Sequence, residues 1–379
     1  MQGLSDTIYV KRLVMLKMAH IAVVFNEPTI ATEKGRMFIS AEGQVGALAS
    51  HSEIVTNMPG HLVDMSEVGV IEEREQVEKA LQHRGYRTSL FNIDGDIKRL
   101  INFIEVQKPD IIFNLCESLM GESLHEMHVA GIYELMNIPY TGAATLALGT
   151  CLNKVRTKEI LRSYGIQTAQ HIISTNVESY HIDDARMHFP FIVKPIHEDA
   201  SIGIDNSSVV YDIQSLQKQI AFILKTFNEP ALVEEYIEGR ELNVAIIGNE
   251  QPTVLPISEI DFSKLPSGYP KIVTYNAKWV EGTPEYDGTV GTCPAKIEPY
   301  VEQRVREVAL RAYQLMEIRD YARIDIRLDA SNTPYVLEVN PNPDISCDAG
   351  FARSARTAGM TFEDMIVKIV ETALERSRC

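Results

Sequence analysis

The sequence predicts a mixed α/β and α+β architecture, in which an N-terminal open parallel sheet is followed by two smaller α+β units. The first part of the chain alternates short apolar strands with helical stretches, a pattern typical of a parallel sheet covered by helices. The rest of the chain is typical of smaller α+β modules. Because 379 residues with 45% hydrophobic content are too many for one compact core, we expect more than one domain.

The N-terminal α/β domain is predicted to span residues 1–152. Its expected elements are strands at Ile21 to Phe25, Thr88 to Phe91 and Ile111 to Leu115, and helices at Glu72 to His83 and Ser123 to Met136. Between the first strand and the first helix lies an unusually long insertion, residues 29–64, rich in Gly, Ser and Met. Loops of this length are usually lids, binding loops or disordered, and the sequence leaves these three open.

Two α+β units are predicted to follow, a central one over residues 153–239 and a C-terminal one over residues 240–379. The central elements are expected at Lys154 to Tyr164, Phe191 to Lys194, Ser207 to Tyr211, Ile213 to Lys225 and Ala231 to Glu235. The C-terminal elements are expected at Leu242 to Ile247, Thr253 to Ile257, Val301 to Met316, Ala322 to Asp329, Pro334 to Asn340 and Phe362 to Glu375.

The net charge of -16 excludes some classes of partner. A surface of this sign repels the phosphates of nucleic acids and of anionic membranes, so neither partner is expected and any phosphate site must be local. No run of about 20 apolar residues is present, so no membrane span is expected. The five cysteines are scattered without a CxxC pair, which fits reduced thiols in a cytoplasm better than a disulfide framework.

Two charged strands near the C-terminus carry the strongest chemical signal. Side-chain alternation puts Arg323, Asp325 and Arg327 on one face of the first strand. The same rule sends Val336, Glu338 and Asn340 to one face of the second strand. A short turn through Ser331, Asn332 and Thr333 makes the strands antiparallel neighbours, so we expect Asp325, Glu338 and Asn340 to converge.

Two carboxylates and an amide, flanked by an arginine, suit Mg²⁺, which takes few protein oxygens and completes its octahedron with water and substrate phosphates. Arg323 would then contact a phosphoryl group in transfer. The alternative is a solvated polar sheet face paired by surface salt bridges. These strands alone do not decide between the two interpretations.

Two further segments are compatible with nucleotide binding. An apolar strand ends at Lys194 and is followed by a small-residue loop from Glu198 to Gly203, where backbone NH groups can approach phosphate oxygens. A hairpin turn is an equally good interpretation of that loop. In the segment Ala231 to Glu241, Glu234 can accept from an adenine amino group and Glu241 can bind a ribose hydroxyl, with a charged edge and turn as the alternative.

Together and in this order, these segments resemble the ATP-grasp superfamily, and specifically the D-alanine–D-alanine ligases. The resemblance runs from about Phe113 to the C-terminus and is faint before that. The segments that carry it are Ile138 to Gly142, Asn153 to Lys158, Val193 to Pro195, Glu234 to Gly239, Tyr275 to Lys278, Arg323 to Asp325, Leu337 to Pro341 and Ala358 to Met360.

The resemblance implies an ATP-grasp fold in which the central and C-terminal units clasp ATP. The residues that it assigns to the nucleotide are Lys154, Lys194 and Lys278 at the phosphates, Ser201, Ile202 and Gly203 over them, Glu234, Glu235 and Ile237 at the adenine, and Glu241 at the ribose. The metal ligands would be Asp325, Glu338 and Asn340, with two Mg²⁺ ions expected and Mn²⁺ as a substitute. The catalytic residues would be Arg323, Lys278 and Glu122, and residues 275–291 would form a mobile loop that closes the site.

The substrate half departs from the family pattern. Ala200 stands where the family has a serine that helps to deprotonate the attacking amine, and Trp279 stands where it has the partner tyrosine. Asp344 replaces a glycine after the metal-binding asparagine, and Ala349 replaces a serine that binds the second substrate's carboxylate. We therefore expect an intact nucleotide half and an altered substrate half.

The candidate substrate-binding residues follow from these departures. The family's amine-binding glutamate aligns only loosely, with Glu67 or Glu27. The other candidates are Trp279, Asp344, Asp348, Arg353 and Arg356. For each charged candidate, a structural salt bridge is the alternative interpretation.

The resemblance implies a cytoplasmic, ADP-producing ligase that joins a carboxylate and an amine through an acyl phosphate. We expect amino-acid or small-peptide substrates other than two D-alanines, and a homodimer formed through the N-terminal unit. Two alternatives stay open. One is a genuine D-alanine–D-alanine ligase of cell-wall synthesis, and the other is an ATP-binding regulatory protein without catalysis.

Overall fold

The structure, a computed structural model, describes residues 19–27, 69–177 and 187–377, and the backbone of four short strands between residues 29 and 55. The strands are β1 (His20–Phe25), β2 (Thr29–Thr32), β3 (Gly35–Ile39), β4 (Val45–Ala47), β5 (Ile54–Val55), β6 (Arg87–Asn92), β7 (Ile111–Leu115), β8 (His171–Ser174), β9 (Phe191–Pro195), β10 (Val209–Val210), β11 (Ala231–Glu235), β12 (Arg240–Ile247), β13 (Thr253–Val254), β14 (Ser258–Asp261), β15 (Val290–Thr292), β16 (Tyr321–Leu328) and β17 (Pro334–Asn340). The helices are α1 (Gly69–His83), α2 (Ile97–Gln107), α3 (His125–Leu135), α4 (Thr145–Leu152), α5 (Lys154–Ser163), α6 (Ile213–Phe227), α7 (Tyr275–Trp279), α8 (Pro284–Gly288), α9 (Pro299–Leu315), α10 (Gly350–Thr357) and α11 (Phe362–Arg376). Across the described ranges, no helix has the length and apolar character needed to cross a membrane.

The N-terminal sheet is parallel, with strand order β6-β1-β7, as the sequence predicts. Every residue of β1 is buried, because helices cover both faces of the sheet. Ile21 and Val23 pack on one side with residues of α1 and α11. Ala22 and Val24 pack on the other side with residues of α2 and α3. The alternating side chains of β1 therefore contribute to two hydrophobic clusters, one on each face of the sheet.

The insertion after β1 contains paired strands. Strands β2 to β5 form an antiparallel sheet in sequence order, with Thr29 opposite Phe38 and Met37 opposite Ala47. The sequence analysis predicted no strand in the insertion of residues 29–64. Strands of two to five residues, separated by Gly and Ser, are too short to produce the apolar alternation that marks a strand in sequence.

The central sheet has the order β10-β9-β11-β8 and is antiparallel. On one face, Phe191, Val193 and Val233 pack with Leu216 and Ile220 of α6. A capping box begins this helix, in which Asp212 accepts from the Ser215 amide at 2.8 Å and the Ser215 hydroxyl accepts from the Asp212 amide. Side chains on the opposite face of β9 and β11 are left to face the C-terminal sheet.

The C-terminal sheet has the order β15-β14-β12-β16-β17, and β13 pairs with β12. The predicted antiparallel pairing of β16 and β17 is confirmed, with Asp325 opposite Glu338 and Arg323 opposite Asn340. A bulge follows Asp325, so that Ile326 lies opposite Val336. The prediction that Val336 shares a face with Glu338 and Asn340 was wrong, because the bulge turns Val336 into the core.

The N-terminal and C-terminal units share one hydrophobic core. Ala22 and Tyr133 belong to the same buried cluster as Val244, Val305 and Ile324. This continuous core holds the carboxyl end of the N-terminal parallel sheet against the C-terminal sheet. The predicted boundaries at residues 152 and 239 remain predictions, since the shared core does not divide there.

The buried carboxylate of Asp320 joins the N-terminal and C-terminal units through hydrogen bonds. Its carboxylate accepts from the Gly142 amide at 3.0 Å, from Asn249 Nδ2 at 3.1 Å and from Arg376 Nη2 at 3.0 Å. The side chain is fully buried. Three segments far apart in sequence therefore depend on one carboxylate.

We predict that Asp320→Asn lowers the free energy of unfolding by about 2 kcal/mol, because an amide cannot accept from all three donors and leaves Arg376 without its counter-charge. Urea denaturation followed by circular dichroism measures the change. The control is Asp329→Asn, whose carboxylate caps the amides of Ser331 and Thr333 in the β16–β17 turn. An asparagine fills that role, so the control is expected to stay within about 0.5 kcal/mol of wild type. Equal effects of both substitutions would contradict the assignment.

Candidate active site

A cavity of about 560 Å³ lies between the central and C-terminal sheets and extends to α1 and to the loop after β7. The central unit contributes the ends of β9 and β11 and the loop that follows β9. The C-terminal unit contributes β16, β17 and the loop that leads to α10. The cavity therefore meets all three predicted units.

The predicted metal ligands converge in this cavity. Asp325, Glu338 and Asn340 all line it, with Arg323 beside them. Arg323 donates to both oxygens of Asp325, at 2.8 and 2.9 Å, and Asn243 donates to Asp325 Oδ1 at 2.6 Å. Burial and the Glu338 charge raise the pKa of Asp325, which Arg323 opposes.

Four cations converge on Glu338. Burial alone would raise its pKa, but the charges of Lys154, Lys278, Arg323 and Lys194 hold the pKa at about 2. Glu338 is therefore ionised at neutral pH. The geometry brings the three phosphate-binding lysines predicted from the sequence to the same carboxylate.

The donor set fits a hard cation. Over the residues that the structure describes, no group of three or more His, Cys, Asp or Glu side chains is arranged to hold a metal. Two carboxylates and the Asn340 amide offer only oxygens, and too few to enclose an ion. This is the donor set of Mg²⁺, which keeps water and phosphate oxygens in its remaining positions.

The loop after β9 is held in an unusual backbone conformation. Ala200 and Ser201 have φ of 53° and 63°, and Gly203 has φ of 73°. A Cβ on Gly203 would lie 2.7 Å from the Phe227 ring, so a larger residue does not fit there. The turn brings the Ser201 and Ile202 backbone to the cavity wall, as the phosphate-loop interpretation requires.

The two residues that depart from the family pattern on the amine side contact each other. Trp279 Nε1 donates to the Ala200 carbonyl at 3.0 Å. Ser201 Oγ donates to the Val273 carbonyl at 2.9 Å, next to the helix that carries Lys278. Neither the Ala200 nor the Trp279 side chain can accept a proton, so neither can take the role of the serine or the tyrosine of the family pattern.

Glu234 is the counter-ion of two lysines. Its carboxylate lies 2.8 Å from Lys158 Nζ and 2.6 Å from Lys194 Nζ, and all three side chains are buried. Burial raises the pKa of Glu234, but Lys158 and Lys194 outweigh it and hold the pKa at about 2. Its predicted contact with adenine remains a prediction, and the structure adds a second role that the sequence analysis did not include.

Lys158 is a residue that the sequence analysis missed. It donates to the Leu337 carbonyl at 2.9 Å, beside the predicted metal ligand Glu338. Lys158 follows Lys154 by one helical turn in α5, a spacing that places both side chains on the same helix face. That spacing could have identified it.

The remaining nucleotide candidates lie around the same wall. Glu235, Ile237 and Glu241 line the cavity. Glu241 lies 3.0 Å from Arg327, and Glu235 accepts from the His188 amide at 2.9 Å. Lys154 lies just outside the lining, where its Nζ is 2.9 Å from Asp199 Oδ1. The structure thus brings the predicted nucleotide residues together.

Some of the candidate substrate-binding residues line the cavity and others do not. Trp279, Asp344 and Arg353 line the cavity. Glu27 does not, because its carboxylate pairs with Arg74 on α1. Glu67 lies outside the described residues.

Glu122, predicted as catalytic, is not brought to the cavity. It is exposed in a tight turn with Leu119, and this turn directs it to solvent. Glu126, four residues later in the first turn of α3, lines the cavity instead. Three other acidic lining residues, Glu72, Glu73 and Glu117, were also missed, because α1 and the loop after β7 had no chemical pattern of their own.

Arg353 is a half-buried cation on the cavity wall. Its Nη1 donates to Ser258 Oγ at 3.1 Å and its Nη2 to the Asp348 carbonyl at 3.4 Å. No carboxylate contacts it among residues 19–27, 69–177 and 187–377. A Cβ on Gly291 would lie 2.0 Å from the guanidinium, so the glycine makes room for this charge.

We predict that Glu234→Gln lowers the free energy of unfolding by about 3 kcal/mol at pH 7, because it leaves Lys158 and Lys194 buried without a counter-charge. The folded pKa of Glu234 lies below its ordinary value of 4.5. Its stabilisation is therefore complete above pH 4.5 and is lost as the pH falls toward 2. The difference from wild type, measured by urea denaturation between pH 7 and pH 3, should shrink across that window.

The control for this prediction is Glu302→Gln, since Glu302 pairs with Arg306 on the surface of α9. Its effect should stay within about 0.5 kcal/mol at every pH. A Glu234→Gln penalty that is constant with pH would contradict the ion-pair assignment.

Comparison with known proteins agrees with this geometry. Residues 160–371 match the family model described as the D-ala D-ala ligase C-terminus. The chain is 32% identical over 308 residues to the D-alanine–D-alanine ligase of Carboxydothermus hydrogenoformans, covering 79% of this chain and 92% of that protein. It is 34% identical over 310 residues to an uncharacterised protein of Sinorhizobium fredii, covering 80% and 87%.

A solved structure shows the same fold. The D-alanine–D-alanine ligase of Bacillus anthracis superposes with a TM-score of 0.70 at 23% identity, over 95% of this chain and 99% of that chain. The predicted ATP-grasp fold is confirmed. From the family match, the relatives and the shared fold, we conclude that this chain belongs to the D-alanine–D-alanine ligase family and is an ATP-grasp ligase.

Proposed function

We propose that this enzyme uses ATP and Mg²⁺ to join the carboxylate of one amino acid or small peptide to the amine of another. The observation that supports this most directly is the convergence of Lys154, Lys194, Lys278 and Arg323 on Glu338, which shares the cavity with Asp325 and Asn340. Such a site can neutralise a triphosphate and position its terminal group. The names of the relatives support the same class of reaction.

The proposed reaction has two steps. A carboxylate oxygen of the first substrate attacks the γ-phosphorus of ATP, and ADP leaves with the electron pair of the broken P–O bond. The amine of the second substrate then attacks the carbonyl carbon of the acyl phosphate, inorganic phosphate leaves, and the amine proton passes to solvent. The products are one amide, ADP and phosphate.

The residues act by position and charge in this scheme. Bound ions, two Mg²⁺ or Mn²⁺ in their place, would supply positive charge that offsets the negative charge of the phosphates. Asp325, Glu338 and Asn340 would hold them. Arg323 lies beside these ligands and would stabilise charge on the phosphoryl oxygens and on the tetrahedral adduct. No covalent bond to the protein is required, so most of the rate comes from positioning.

Arg353 is the proposed partner of a substrate carboxylate. It is a cation that lines the cavity, and it donates hydrogen bonds to a hydroxyl and a carbonyl. It lies one helical turn after Ala349, where the family pattern has a carboxylate-binding serine. A guanidinium binds a carboxylate through two parallel hydrogen bonds, so it can replace that hydroxyl.

A second candidate function is a genuine D-alanine–D-alanine ligase. The related proteins from Carboxydothermus hydrogenoformans and Haemophilus influenzae are named D-alanine–D-alanine ligases. The protein from Haemophilus influenzae is 31% identical to this one over 69% of this chain. The altered residues Ala200, Trp279, Asp344 and Ala349 favour other amino acids. Phosphate release with ATP, Mg²⁺ and a panel of amino acids in both stereochemical forms separates the two functions.

Each outcome of that panel is informative. Stimulation by D-alanine alone would establish the second candidate. Amide formation with other amino acids, identified by mass spectrometry, would support the proposal. Tight ATP binding without phosphate release for any pair would indicate the regulatory alternative and overturn the ligase proposal.

We predict that Glu338→Gln lowers kcat for ATP-driven phosphate release by about 10²-fold to 10³-fold, because it removes a charged metal ligand at the transferring phosphate. Stopped-time phosphate assays measure this. The surface variant Glu302→Gln should retain wild-type kcat. Unchanged turnover in Glu338→Gln would remove the basis of the metal assignment.

We also propose that the enzyme acts in the cytoplasm as a homodimer. Leu135 at the end of α3 and Leu146 at the start of α4 are 90% and 70% exposed, which is costly for a monomer. Among the described residues, Cys151, Cys293 and Cys347 are free thiols, which supports a reducing compartment. Analytical ultracentrifugation measures the oligomeric state.

A further inference from the structure

We propose that one substrate of this enzyme is an amino acid with a cationic side chain, bound by Glu73 and Glu126 at the end of the cavity next to α1 and α3. The inference rests on the proposed ligase function and names its substrate class. It comes from two carboxylates on the cavity wall that contact no cation among the residues that the structure describes.

Glu73 is the more buried of the two. It lies in α1, is only 5% exposed and lines the cavity. One oxygen accepts from the Ile345 amide at 2.9 Å. In the part of the chain that the structure describes, no lysine, arginine or histidine contacts its carboxylate and no donor reaches its second oxygen.

Glu126 repeats this arrangement on α3. Its Oε1 accepts from Asn342 Nδ2 at 2.9 Å, and Asn342 in turn accepts from the Tyr321 hydroxyl at 3.0 Å. Within the described ranges this neutral amide is its side-chain partner, and again no cation contacts it. A carboxylate so placed is oriented and partly desolvated without being neutralised.

The surrounding charges are of the same sign. After burial, the strongest charges acting on Glu73 are those of Asp344 and Glu117, and Glu117 acts on Glu126 as well. Asp344 and Glu117 also line the cavity. Four acidic side chains thus share one end of the cavity.

The nucleotide half shows the opposite pattern. There Glu234 pairs with Lys158 and Lys194, and Asp325 pairs with Arg323. Since buried carboxylates normally have a cationic or metal partner, the missing partner at Glu73 and Glu126 is best supplied by the ligand.

The number of ammonium groups that the two carboxylates can bind indicates the class of amino acid. A neutral amino acid brings one ammonium group, which can neutralise one carboxylate. A diamino acid such as lysine or ornithine brings two and can pair with Glu73 and Glu126 together, while Arg353 remains available for its carboxylate. The flexible side chain of a diamino acid also extends its second charge away from the reacting centre.

The test uses the full-length enzyme with ATP and Mg²⁺. Phosphate release and amide formation are measured with lysine, ornithine and 2,4-diaminobutyrate, and with the neutral amino acids norleucine, norvaline and alanine, each in both stereochemical forms. We expect kcat/KM for the best diamino acid to exceed that of its neutral counterpart at least tenfold. Equal or higher kcat/KM for the neutral amino acids would overturn the inference and leave the ligase function standing.

The variant Glu73→Gln tests the residue. It keeps an oxygen for the Ile345 amide but removes the charge, so KM for the diamino acid should rise about 10-fold to 100-fold while KM for ATP stays within twofold. Glu126→Gln should act in the same direction. Thermal unfolding verifies that both variants are folded.

The control is Glu75→Gln, in the same helix but exposed and paired with Lys79. It should leave both KM values unchanged. An unchanged KM for the diamino acid in folded Glu73→Gln and Glu126→Gln would refute the assignment. Absence of phosphate release with every pair would instead refute the underlying ligase function, so the two failures are distinguishable.

Discussion

The site depends on the pairing of β16 with β17 and on the bulge that interrupts it. Up to the bulge, Asp325 and Glu338 are directly opposed and point into the cavity. Beyond it, Ile326 and Val336 are opposed and both are buried in the shared core. One extra residue therefore lets a single pair of strands supply both the proposed metal ligands and the packing that fixes them. A slip of one residue would turn the ligands into the core.

The cost of burying charged side chains is the second constraint. The two halves of the cavity offset this cost in different ways. On the nucleotide side, cationic side chains of the protein itself lie near the carboxylates, so that Glu234 and Glu338 stay ionised. On the substrate side, burial and like charges raise the pKa of Glu73. In the first half the protein supplies the opposing charges itself, whereas in the second no cation among the described residues contacts Glu73 or Glu126.

The nucleotide half was largely predictable from sequence, because its lysines and carboxylates lie on strands and on helix turns with regular spacing. The antiparallel strand pair, Lys154, Lys194 and the acidic set are examples. The bulge was not predictable, since alternation alone places Val336 with Glu338. Glu73 and Glu126 were missed because α1 and α3 have no motif around them, and only tertiary packing brings them to Glu117. Glu122 was predicted from the family resemblance, and sequence position does not show which way a turn directs a side chain.

The loop after β9 and the segment before and within α7 are joined by three hydrogen bonds. Trp279 and Ser201 donate across them, and the Tyr275 amide donates to the Ile204 carbonyl at 2.9 Å. Because three hydrogen bonds join the two segments, neither can move away from the cavity without the other. We therefore expect the two segments to move as one unit, so that opening the site at this wall would break all three hydrogen bonds together.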